Sequence, residues 1–136
     1  MKIDLPSIDE QKKIILEEGN KAAIRQLNAN LKAPIMPKQT EIDESKYPNT
    51  HLLRETEGWE PPHPDIVGAY FRHFQSCFSA YNSDKRLAEL LGVTSDRRVR
   101  EFKQGKNKVP YGVWRKFLVM TGQVPQDVIP VLAIFQ

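Results

Sequence analysis

Residues 87–110 read LAELLGVTSDRRVREFKQGKNKVP. Arg97, Arg98 and Arg100 crowd into four positions, with Val99 held apolar among them and Phe102 three residues further on. That spacing puts Val99 and Phe102 on one face of a helix, predicted to run from Asp96 to Gln104 and to end at Gly105 in a left-handed cap. Leu87, Ala88 and Leu91 mark the inward side of a preceding helix, which Asn82 or Ser83 can cap. Val93–Ser95 is then a short turn between two short helices. Neighbouring like charges repel, so the arginines need something negative nearby.

Working outward, the same helical signal continues on both sides. Pro64 suits the first position of a helix, and Ile66, Val67, Tyr70, Phe71, Phe74, Cys77 and Phe78 follow on one apolar face. Pro110 opens another helix with Val113, Trp114, Phe117 and Leu118 apolar, closed by Gly122. Pro125 starts a last short one, limited by Pro130. Residues 64–136 thus read as five helices without a strand signal, an all-α domain. Upstream, Ser7 and Glu10 form a capping box for an N-terminal helical segment, residues 1–31, which Gly19 weakens and could divide in two. Between them, Pro34, Pro37, Pro48, Pro61 and Pro62 interrupt every helix over residues 32–63. This is an extended arm that wraps the domain or joins it to the N-terminal helix. THLLRETEGW within it can form one helical turn, and Trp59 has the look of a docking residue.

Charge is unevenly spread. Residues 1–60 carry nine basic and eleven acidic groups, whereas residues 84–116 carry ten basic and four acidic, a local net charge of +6 in a chain of net +3. A basic cluster of this kind is the footprint of a polyanion binder. The hydrophobic and charged contents, 40% and 27%, are those of a globular protein rather than a disordered or membrane one. The N-terminus lacks an apolar signal core, and a lone cysteine, Cys77, suits a reducing compartment, so a cytoplasmic location is expected. His51, His63 and His73 are too scattered to ligate a metal. No phosphate-cradling Gly-rich loop or nucleophilic triad is present, and no cofactor or enzymatic activity is expected. His73 reads as solvated and Cys77 as a small core group.

Residues 87–110 resemble the helix-turn-helix of the phage-repressor and Cro-type DNA-binding family. The resemblance rests on the Leu87–Ala88 pair, Gly92, the β-branched Val99, Gly105, the basic loop Lys106–Val109 and Pro110. It extends over residues 66–122 and leaves residues 1–60 unaccounted for. Two features depart from the family pattern: one extra residue between Gly92 and Val99, and Lys103 where Glu is common. The first leaves the register of base contacts open by one position.

What the resemblance implies can be stated residue by residue. The second helix of the motif would enter the major groove of double-stranded DNA, with Asp96, Arg97, Arg98 and Glu101 facing base edges. An arginine fork fits guanine O6 and N7. Ser83, Lys85, Ser95, Arg100, Gln104, Lys106, Asn107 and Lys108 would meet the sugar–phosphate walls. Helical geometry turns Arg97, Glu101 and Gln104 most directly outward, with Arg98 and Arg100 on the flanks, so DNA would supply the negative charge the arginines lack. The function implied is a sequence-specific transcriptional regulator, a repressor of bacterial, phage or plasmid origin that binds an inverted repeat as a homodimer. The dimer surface would be the apolar tail VIPVLAIFQ or the Ser7–Leu31 helix. A second reading is an antitoxin or antagonist that grips a partner protein through residues 1–63. A third is a protein-interaction module that binds no DNA.

Overall fold

The computed structural model describes residues 4–135, and all regular structure among them is helical. Five α-helices occur: α1 (Ile8–Asn30), α2 (Pro64–Cys77), α3 (Asp84–Leu91), α4 (Asp96–Gln104) and α5 (Tyr111–Met120). Single 3-10 turns form at Glu44–Lys46, Thr50–Leu52, Glu55–Glu57 and Ser79–Tyr81. The chain divides into two units, one made of residues 37–128 and the other of residues 1–36 and 129–136.

In the larger unit, α4 packs against both α3 and α2, and α5 contacts α3. Each helix begins and ends for a local reason. Pro64 occupies the first turn of α2, where its missing N–H is no loss. The Ser83 hydroxyl accepts from the Arg86 N–H to cap α3, and Ser95 does the same for α4 through Arg98. Gly92 and Gly105 end these two helices at φ +73° and +76°. Gly105 is doubly constrained, because a Cβ there would lie 2.7 Å from Pro64 Cγ. The core they enclose is Ile66, Val67, Tyr70, Phe71, Phe74, Leu87, Ala88, Leu91, Val99, Phe102, Val109, Trp114, Phe117 and Leu118. Its aromatic centre is Trp114, with ring centroids 5.5 Å from Phe117 and 5.6 Å from Tyr70.

Residues 37–63 lie on this core as three 3-10 turns, with Ile42, Tyr47, Leu52 and Trp59 packed against it. Trp59 docks edge-on to Tyr111, ring centroids 5.2 Å apart. His51 is buried, and its Nδ1 accepts the Trp114 indole N–H at 3.1 Å. Two bidentate ion pairs tie the segment down: Arg72 to Glu41, and Arg54 to Asp127. His73 is half-buried rather than solvated, its ring 2.7 Å from the Pro37 carbonyl oxygen. Cys77 is likewise only partly buried, with its sulfur 3.7 Å from that ring.

Two helix expectations fail. The short helix proposed after Pro125 does not form, and the described residues beyond Met120 contain no helix. Pro130 would clash with the carbonyl of Gln126 and disfavours helical backbone at Ile129, leaving too few residues to nucleate. Residues 64–135 therefore hold four α-helices rather than five. Gly19 does not divide α1, which runs unbroken for 23 residues. One glycine costs only about 1 kcal/mol in a helix interior, and the Glu, Lys, Ala and Gln around it are good helix formers. No residue of α1 is buried. Residues 1–3 and Gln136, parts of the N-terminal segment and the apolar tail, lie outside the described residues. No helix among the described residues is long and apolar enough to cross a membrane.

Candidate nucleic-acid interface

α4 is held to the core by two side chains, Val99 and Phe102, which are 0% and 1% exposed. Arg97, Arg98, Arg100 and Gln104 all stand exposed on its other sides. In the loop that follows, Lys106, Asn107 and Lys108 are also exposed, and Val109 plugs the core behind them. The sequence reading of an inward pair and an outward basic face therefore describes this helix correctly at the level of burial.

The charge arrangement differs from the sequence expectation. The Arg97 Nε donates to Glu101 Oε1 at 2.9 Å, and an Arg100 Nη donates to Asp96 Oδ2 at 2.8 Å. Lys103 turns inward, where its ammonium donates to Asp84 Oδ1 at 2.7 Å and Gln75 Oε1 at 2.8 Å. Much of the repulsion among these cations is thus relieved within the chain, by carboxylates four residues away along the helix and by Asp84 on α3. Burial pushes the Asp84 carboxyl up, but the hydrogen bonds from Lys103 and Gln75 together with the charges of Lys103 and Arg100 outweigh it and hold the group below its ordinary value. The Arg100 guanidinium lowers Asp96 in the same sense.

Of the four cations on α4, only Arg98 has no carboxylate within 4.0 Å among the described residues. Its guanidinium lies 5.3 Å from the centroid of the Phe102 ring, a cation–π contact that directs it along the helix flank. Lys103 and Arg115 drop out of the exposed basic group. Arg115 instead donates to the Leu52 and Pro125 carbonyls and is 13% exposed.

The other candidate residues fall as follows. Ser83 and Ser95 use their hydroxyl oxygens as helix caps, which leaves each O–H able to donate outward. Lys85 is exposed on the first turn of α3. Asp96 caps its own helix start by accepting the Arg97 N–H while it holds Arg100. Glu101 departs most from expectation. Its side chain is 19% exposed against 80% for Arg97, because its second oxygen accepts from Asn107. The helical angle alone turned it outward; the return of the loop after Gly105 covers it. Asn107, at the right distance to close over a carboxylate six residues back, was the only sequence signal of this.

The arrangement can present a guanidinium fork and flanking cations to a polyanion. It offers no cluster of metal-ligating side chains among the described residues. No family model, curated protein or solved structure matches the chain.

Proposed function

We propose that the chain is a sequence-specific DNA-binding regulator that reads the major groove with α4, using α3 and α4 as a helix-turn-helix. One observation carries this reading. α4 is fixed by two buried residues, and its first turn presents Arg97 and Arg98 side by side in solvent, next to an exposed basic loop. A helix anchored on one side and basic on the other suits a groove whose walls are phosphates and whose floor offers guanine acceptors. Arg97 would read a base, while Arg98, Arg100, Lys106 and Lys108 would meet the backbone. The internal ion pairs moderate the positive field, so affinity for any duplex should depend on fewer charges than the sequence total.

A single α4 reads one half-site, so the reading includes a homodimer on an inverted repeat. Exposed apolar residues support an association surface in the smaller unit: Ile129, Leu132 and Phe135 are 85%, 92% and 92% exposed, and Ile8 and Ile15 on α1 are 72% and 70%. The same exposure favours the second reading, in which residues 1–63 hold a different protein as an antitoxin would.

Duplex binding measured against salt tests the DNA reading. Log K should fall linearly with log salt, and Lys106→Ala should reduce the slope by about 0.9 if that ammonium neutralises one phosphate. A slope near zero for the wild type would exclude phosphate contact altogether.

A further inference from the structure

The sequence reading groups Glu101 with the residues that face bases, but its carboxylate is already committed. One oxygen accepts from Arg97 Nε at 2.9 Å, and the other accepts from Asn107 in the loop beyond Gly105. The Glu101 carbonyl also receives the Lys106 N–H at 3.0 Å, which fixes the loop to the end of the helix. The carboxylate is therefore held at both oxygens, between the first turn of α4 and the loop that follows it. A carboxylate so engaged is poorly placed to accept from cytosine N4.

Arg97 gains what Glu101 gives up. A guanidinium held through Nε keeps its two terminal nitrogens, the end of the fork that donates to guanine O6 and N7 together. The Arg97 side chain remains 80% exposed while one of its edges is fixed. We propose that Glu101 is a positioning residue that aims Arg97 before DNA arrives, and that sequence discrimination depends on it. This rests on the DNA-binding reading above. The carboxylate has a second effect in the same direction, since a negative charge close to the phosphate walls weakens sequence-independent attraction. Fixing the reader and lowering the background both raise the ratio of specific to nonspecific binding.

The test uses the full chain and four variants: Glu101→Ala, Glu101→Gln, Arg97→Ala and the double Arg97→Ala/Glu101→Ala. Each is put through selection from a random duplex pool and through competition against unrelated duplex over a salt series. The base pair relaxed by Arg97→Ala defines the position that Arg97 reads. Glu101→Ala should lose about tenfold of the discrimination at that same pair. It should bind unrelated duplex severalfold more tightly, with a slope steeper by up to about one unit. Glu101→Gln keeps an acceptor for Nε and should recover most of the discrimination while retaining the tighter nonspecific binding. In the Arg97→Ala background, Glu101→Ala should change nothing at that pair.

A purely structural role predicts a lower melting temperature and uniform weakening on every duplex, and that result overturns the proposal. So does full retention of the Arg97 preference in Glu101→Ala, or loss of preference at a different pair, which would make Glu101 a direct reader. Wild-type protein that enriches no sequence at all brings down the DNA-binding reading itself, an outcome distinct from each of these.

Discussion

His51 joins residues 37–63 to the core through one hydrogen bond, and its protonation state decides whether that bond exists. The indole of Trp114 can only donate, so the His51 Nδ1 that receives it must be free of a proton. Burial, opposed more weakly by the Glu44 carboxylate, lowers the pKa of His51 below 6.5. The folded state therefore binds this proton less readily than the unfolded chain. Stability should be intact above about pH 6.5 and fall as pH drops below it, until the folded-state pKa is passed. Denaturant unfolding at pH 7.5 and 5.5 checks this. His51→Asn retains an acceptor without titrating in this window; it should cost about 1–3 kcal/mol at neutral pH and flatten the decline between the two pH values. A wild-type stability that does not change over this range would mean that His51 stays accessible to protons in the fold.

At the scale of elements, α3 and α4 test whether cap geometry or neighbours set the boundaries of the helix pair. Gly92 and Gly105 have nearly the same left-handed backbone, at φ +73° and +76°, so replacing either with Ala carries about 1–2 kcal/mol of conformational cost. Their surroundings differ. A Cβ at Gly92 meets nothing within 4 Å, whereas one at Gly105 runs into Pro64 on the first turn of α2. Gly105→Ala should thus destabilise by at least about 1 kcal/mol more than Gly92→Ala, because the start of α2 must shift to admit it. Equal losses in denaturant unfolding would show that Pro64 yields freely. Gly105 as a cap, Ser83 as one of two cap candidates and the Val99–Phe102 pair were legible in the sequence, since each of these signals is local. Pro64 against Gly105 was not legible, because nothing in either segment specifies the other. The pairing of Lys103 with Asp84 on another helix escaped for the same reason. Arg97 with Glu101 and Arg100 with Asp96 were readable at four-residue spacing, although the crowding of arginines pointed elsewhere.

For the molecule as a whole, the sequence gives its helices more clearly than its irregular segment. The prolines of residues 32–63 correctly forbid long helices, but where such a segment lies depends on scattered single contacts: Trp59 with Tyr111, His51 with Trp114, Arg54 with Asp127. None of these has a period. Basic charge counted along the sequence likewise overstates the exposed basic surface, because Lys103 and Arg115 turn inward. What remains exposed on and beside α4 is Arg97, Arg98, Arg100, Lys106 and Lys108. The central claim is that this remnant reads sequence rather than merely attracting phosphate.

Selection of bound duplexes from a random pool, with wild type and Arg97→Ala in parallel at moderate salt, tests that claim most directly. The account predicts that wild type enriches an inverted repeat whose half-sites lie about 34 Å apart, one helical turn. Arg97→Ala should bind that sequence roughly tenfold to a hundredfold more weakly, with the preference for guanine relaxed at one pair in each half-site. Lysine at the same position should not restore it, since an ammonium lacks the fork. Enrichment of no sequence by the wild type, or an identical consensus selected by Arg97→Ala, would contradict it.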